Sequence, residues 1–345
     1  MAKLAWWRRI QRKSISSTGI VCLFFMGFYF LQMFSLMSHV HHHEPQRVME
    51  MTATAGENIL RSEITKVATL FVNVTTPSVS YNICIPASGQ LGNLLFQYAS
   101  LLGIARRNNR QPYFPPDARM SQTFSGLSYL STIECKTYPI VYEDHYATYD
   151  PKFEKLPETN VLLLQYFQSW KYFDFIKDEV RKEFTFVDSV NDTAARLLQQ
   201  CTRDHQGKIK VGVHVRRGDR EFLLTRGYPM APLEYILQAM TYMRDRHKNV
   251  VFVIVSDSVH WCQSNFNHTD VVLAPSASPS VHLAMLAACD HVIMTVGTFG
   301  WWGGYLAGGN VVYYVAFDPK LRNATLIDIT HPDDHYPPHW IPIRL

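Results

Sequence analysis

The stretch "VGVHVRRGDRE", residues 211–221, crowds His214, Arg216, Arg217 and Asp219 onto the end of an alternating apolar run. Two adjacent arginines need an anion, and the forked guanidinium of Arg216 matches phosphate oxygens two at a time. A second stretch, "VIVSDS", ends in Ser256 and Asp257, and Asp257 can accept from ribose hydroxyls or a base amide. A third, "GTFGWW", sets Gly297, Thr298 and Phe299 at a glycine turn that opens a helix. The free N–H groups and positive dipole end of such a helix favour phosphate. Together the three stretches read as a diphosphate site. A fourth, "SGQLGN", holds Gly89, Gly92 and Asn93 in a glycine turn but is not a full dinucleotide fingerprint.

Strands alternating with helices must position these residues. "YNICIPA" is a short strand, and "LLFQYASLLGIARRNN" follows the glycine turn as a helix. After a loop-rich middle, residues 111–157, "NVLLLQYF" reads as a buried strand and "WKYFDFIKDEVRKEF" as a helix. "KIKVGVHV", "NVVFVIVSD", "HVIMTVGTFG" and "NVVYYVAFDP" read as strands of the second half. Near-continuous β-branched runs of this kind mark parallel strands covered on both faces. Leu233, Ile236, Leu237, Met240 and Met243 recur at helical spacing between the first two. "SVHLAMLAACD" and "WWGGYLAGG" also read as helices. Strands alternating with helices throughout point to an α/β fold with two Rossmann-like domains, residues 81–206 and residues 207–345. In an open parallel sheet ligands bind at the carboxyl ends of the strands, so adjacent strands would bring the three charged ends onto one rim.

The chain has 345 residues, 47% of them hydrophobic, enough for full cores. Its net charge of +4 is uneven, because Lys3, Arg8, Arg9, Arg12 and Lys13 stand without an acid among them. Without those five the remainder is close to neutral, and a nucleic-acid partner is not expected. An uncharged apolar run follows at residues 20–37, long enough at about 1.5 Å per residue for a bilayer core of about 30 Å. The expectation is a cytoplasmic tail at 1–19, a signal anchor at 20–37 and a stem at 38–80, with the body lumenal under the positive-inside rule. Sequons at Asn73, Asn191, Asn267 and Asn323 are compatible with a glycosylated ectodomain. Outside the apolar run lie Cys84, Cys135, Cys201, Cys262 and Cys289, with no metal-site spacing. Cys84 and Cys289 are expected to be buried free thiols.

At these residues the chain resembles the galactoside α1,2-fucosyltransferase family. "VGVHVRRGD", "SGQLGNLLFQYA", "VIVSDS" and "CDHVIMTVGTFGWWGGYLAGG" are similar to that family's blocks and come in its order, covering about residues 81–318. Leu94 stands where the family has an amide, and Arg220 where it has an aromatic. The resemblance implies a Golgi type II enzyme of the GT-B type, whose two Rossmann-like domains face a cleft, 81–206 on the acceptor side and 207–345 on the GDP-fucose side. Such an enzyme moves fucose from GDP-β-L-fucose to the 2-hydroxyl of terminal β-galactose, with inversion. It also implies no cofactor and no essential metal, and the sequence nowhere contains Asp-x-Asp. It places His214 near the nucleoside, Arg216 on the diphosphate, Asp257 on guanosine, and Thr298 and Phe299 at the phosphates. Trp301 and Trp302 either stack on sugar or fill the core, and core is the favoured reading.

The group that activates the acceptor is left open. Asp219 and Glu221 are the acids nearest the arginines, with Asp219 read more readily as a buttress of Arg216 than as a base. Asn93 is an alternative that would orient the acceptor. A sulfotransferase would need a Lys or Ser-Thr phosphate loop, which "SGQLGN" lacks. The alternative from another class is a non-enzymatic membrane lectin or interaction protein on a decayed Rossmann fold.

Overall fold

The computed structural model describes residues 80–145, 147–218, 230–315 and 331–345. The expected tail, anchor and stem, the sequons at Asn73 and Asn323, and Asp219, Arg220 and Glu221 lie outside the described residues. No helix among the described residues is long and apolar enough to cross a membrane.

The first half opens with β1 (Asn82–Cys84), α1 (Leu91–Arg107), β2 (Gln111–Tyr113), α2 (Ala118–Ser121), β3 (Ile140–Tyr142) and β4 (Val161–Leu164). Its four strands are all parallel, in the order β2-β1-β4-β3. Then come α3 (Lys177–Glu183) and α4 (Asp188–Cys201). The second half holds β5 (Ile209–Val215), α5 (Leu233–Arg246), β6 (Val250–Ser256), α6 (Val259–Asn265) and β7 (Val271–Leu273). It continues with α7 (Pro279–Ala287), β8 (His291–Met294), α8 (Thr298–Ala307), β9 (Val311–Tyr314), α9 (Pro332–His335) and β10 (Ile341–Ile343). Among the described residues its six strands are also parallel, in the order β10-β9-β8-β5-β6-β7.

The expected boundary at 206/207 falls between the two sheets, but the packing crosses it. One core joins Ile83 and Val161 of the first sheet to Met294 and Val311 of the second. At its centre Phe96 of α1 lies 4.5 Å from the ring of Trp301 and 5.1 Å from that of Trp302. Both tryptophans are fully buried, so they are core and not a sugar platform. Each buried aromatic pair adds about 0.5–1.5 kcal/mol beyond the area it removes from water. Helix α4 precedes the boundary, yet Val190, Ala194, Leu197 and Leu198 pack with Val253, Val281 and Met285 of the second half. Near the other end of the chain, Asp334 reaches back: its carboxylate takes Lys171 and the Tyr149 N–H, and its carbonyl takes the Ser169 hydroxyl.

Two expectations are corrected. The helix read over "WKYFDFIKDEVRKEF" is two 3-10 turns, Trp170–Tyr172 and Asp174–Ile176, followed by the short α3. Tertiary contacts override propensity there. The Tyr172 hydroxyl takes the Asp150 N–H, Trp170 Nε1 donates to the Asp333 carbonyl, and Phe173 is fully buried. Cys84 is not a free thiol: it is disulfide-bonded to Cys135, with Cα atoms 6.3 Å apart. The end of β1 and the long loop before β3 converge there, within the reach such a bond requires. Cys289 is free and buried.

Candidate active site

Strands β8, β5 and β6 are neighbours, so their three carboxyl ends share one rim. At the end of β5 the Arg216 N–H donates to Thr295 Oγ1 at 3.0 Å, and the Thr295 N–H donates back to the His214 carbonyl at 3.1 Å. This clasp fixes where the arginine leaves the strand. The Arg216 stem then runs beside the glycine turn: a Cβ on Gly297 would lie 3.5 Å from Arg216 Cδ. Gly297 itself adopts φ 89°, a conformation that a side chain would strain, and it brings no capping side chain to α8. A half-exposed guanidinium and an uncapped helix start thus stand side by side, which is anion-binding chemistry.

Asp257, at the end of β6, is engaged within this loop. Its Oδ1 accepts the N–H groups of Arg217 at 2.7 Å and Gly218 at 3.0 Å, and its Oδ2 takes Arg216 Nη1 at 3.3 Å. The carboxylate therefore shapes the arginine loop. Arg217 points to packing partners: its guanidinium lies 3.8 Å over the Trp261 ring and donates to the Ala231 carbonyl.

His214 is buried beneath the rim, with its ring 5.4 Å from that of Phe299. Burial is the main cause that pushes its pKa down to about 4; Arg216 and His282 act in the same direction and Asp257 opposes them. At neutral pH it is an uncharged imidazole. Its Nδ1 has no partner and faces α8 closely enough that a Cβ on Gly300 would stand 2.4 Å away.

Asn93, in the first turn of α1, meets this rim from the other half. Its Oδ1 accepts from Thr298 Oγ1 at 2.9 Å and from Gln168 Nε2 at 3.1 Å. Both carbonyl lone pairs are thereby used, which leaves the amide N–H₂ as the group it can offer a ligand. Asn93 is built to donate and cannot take a proton from a hydroxyl. The two preceding glycines allow this approach. A Cβ on Gly92 would sit 2.7 Å from the Phe299 nitrogen and the Thr298 carbonyl carbon, and one on Gly89 (φ 81°) would sit 2.3 Å from Asn93 Nδ2. Leu94, where the family pattern has an amide, is wholly buried.

The structure thus brings His214, Arg216, Asp257, Gly297, Thr298, Phe299 and Asn93 to one rim and turns Arg217 toward Trp261. Asn191 and Asn267 are exposed and away from these contacts. Sequence reasoning missed Thr295, which orders the β5 exit, and Gln168, which fixes the Asn93 amide. It also missed the buried amide of Gln97, whose signal was a polar residue inside an otherwise apolar helical run.

Several known proteins are similar to this chain over most of its length. Galactoside alpha-(1,2)-fucosyltransferase 1 of Rattus norvegicus is 31% identical over 273 residues, covering 75% of this chain and 72% of the relative. Galactoside 2-alpha-L-fucosyltransferase SEC1 of Bos taurus is 34% identical over 278 residues, covering 75% and 73%. Among solved structures, an Arabidopsis thaliana FUT1 variant in complex with GDP aligns with a TM-score of 0.46 at 13% identity, covering 75% of this chain and 76% of that one. The Bradyrhizobium fucosyltransferase NodZ aligns with a TM-score of 0.47 at 15% identity, covering 66% and 93%. Glycosyl transferase family 11 matches residues 51–344, a span that takes in both sheets and every stretch that builds the rim, and the chain belongs to that family.

Proposed function

We propose that the chain is a galactoside 2-α-L-fucosyltransferase, transferring L-fucose from GDP-β-L-fucose to the 2-hydroxyl of a terminal β-galactose on glycoproteins or glycolipids, with inversion. The observation that carries this reading is the meeting of Arg216, the uncapped start of α8 and the donor-only amide of Asn93 on one rim, in a chain of this family. In the reaction the bond from fucose C1 to the diphosphate oxygen breaks, and a bond from C1 to the galactose oxygen forms on the opposite face. The hydroxyl proton leaves to a base or to water, and GDP departs with the electron pair. Arg216 and the N–H groups of α8 stabilise the charge that grows on the diphosphate. Asn93 Nδ2 adds a hydrogen bond at the junction of the two substrates. Neutral His214 beneath the rim lines the nucleoside end without competing for the phosphates.

The protein is further proposed to be a single-pass type II Golgi membrane protein with its body in the lumen. The basic cluster before the apolar run, the length of that run and the four sequons support this reading. Transfer without a divalent ion is proposed because the sequence lacks Asp-x-Asp and offers arginine and a helix start to the leaving group.

The test is donor-dependent transfer by the full-length chain to a panel of galactosides, with and without excess chelator. Fucosylated product in both conditions is expected. GDP binding with no turnover would favour the lectin reading, and loss under chelator with rescue by manganese would overturn metal independence alone.

A further inference from the structure

The exit of β4 is bent at an exposed residue and clamped by buried ones. After Leu164 the backbone turns through Gln165 at φ 111° and Phe167 at φ 53°. A residue carrying a Cβ is strained there, and such strain persists only where the surroundings over-determine it. The clamps come from several elements. Gln97 Nε2 donates to the Gln165 carbonyl at 3.0 Å and to Ser88 Oγ at 3.0 Å, while its Oε1 takes the Ser88 N–H. Ser100, one helical turn further along α1, donates to the Phe167 carbonyl at 2.8 Å. Glu143 Oε2 accepts the Phe167 N–H at 2.8 Å. Gln97, Ser100 and Glu143 are all buried. A connection that only had to reverse direction could use glycine and none of these bonds. Gln97 ties Gln165 to the glycine turn after β1, and three residues on Gln168 reaches Asn93. Gln165 is therefore an exposed residue at the carboxyl end of β4, tied to the glycine turn that brings Asn93 to the rim.

We propose that Gln165 contacts the acceptor sugar, its amide offering a donor and an acceptor to neighbouring pyranose hydroxyls. Gln97, Ser100 and Glu143 are the positioning residues that hold it in the strained conformation. This inference rests on the galactoside-transfer reading above.

The test uses Gln165→Gly and Gln165→Ala in the full-length chain, with melting temperature and separate KM values for the galactoside and for GDP-fucose. Glycine suits φ 111°, so Gln165→Gly should melt at or above the parent temperature. Its galactoside KM should nevertheless rise about tenfold, the scale of one lost hydrogen-bonding group, with GDP-fucose KM unchanged. Gln165→Ala keeps the strain and loses the amide, so its galactoside KM should rise alike. A folded Gln165→Gly with the parent's galactoside KM would overturn the inference alone, as would a rise confined to the donor or shared by both substrates. A parent that binds GDP yet transfers to no galactoside would overturn the functional reading first and this inference with it.

Discussion

Replacing Arg216 separates its share of stability from its share of catalysis by size. Its guanidinium meets Asp257 at 3.3 Å, with the two side chains 39% and 34% exposed. An ion pair this open is worth about 0–1 kcal/mol. Removing the arginine side chain leaves Asp257 holding the Arg217 and Gly218 N–H groups, and leaves the Arg216 N–H on Thr295. Arg216→Ala should therefore cost no more than about 1 kcal/mol, or about 2–4 °C in Tm. The catalytic loss should be larger, because a removed donor to developing charge costs about 10²–10³ in rate, or about 2.7–4 kcal/mol. Arg216→Lys keeps the charge but loses the fork and should not rescue the rate. The assays are kcat at saturating donor, calorimetric titration with GDP, and thermal melts of the same preparations. An Arg216→Ala protein that binds GDP like the parent would refute the phosphate assignment. A rate loss matched by a collapse of the melt would show that the arginine serves the fold instead.

Gly92→Ala should lower kcat about 100-fold, since a methyl 2.7 Å from Thr298 and Phe299 must push α1 and α8 apart at the rim; an unchanged kcat would uncouple that crossing from the site. Replacing Cys84 and Cys135 by serine should cost about 4 kcal/mol, from the closure entropy of a loop spanning 51 residues, read as a shift in denaturant midpoint. Glu143 gives a pH dependence, because burial raises its pKa from 4.5 to about 8; Asp150 adds to the rise, while the Phe167 and Tyr166 N–H groups and Lys152 oppose it. The unfolded chain loses that proton first, so stability present below the unfolded pKa falls as pH rises from 4.5 to about 8. Glu143→Gln keeps an acceptor for the Phe167 N–H and should flatten that slope in Tm; equal slopes in parent and variant would refute it.

Much of the second half was legible because β5 and β6 are long, apolar and β-branched, as strands covered on both faces must be. The rim followed from them, since ligand residues gather at strand ends and three such ends carried charge or glycine. Three-residue strands such as β2, β3 and β7 carry no readable period. Helix α4 did have a signal in Val190, Ala194, Leu197 and Leu198, spaced for one helical face. The Cys84–Cys135 bond was hidden because several thiols allow several pairings and spacing does not choose among them. Asp257 shows a further limit: its residue type fits a nucleoside contact, and only its hydrogen bonds show it bracing the arginine loop.

The reach of Asp334 back to Tyr149, Lys171 and Ser169 also sets the order in which the protein can be made. Those contacts close loops of 163 to 185 residues, and the two to Ser169 and Lys171 grip the same β4 exit that carries Gln168. Contacts this distant in sequence form late, after local strands and helices have paid out their entropy. A chain emerging from the ribosome would hold its first sheet with those contacts unmade until Asp334 had been synthesised. A substitution at Asp334 would then be felt 185 and 163 residues earlier, at Tyr149 and Lys171, which lose the carboxylate that holds them.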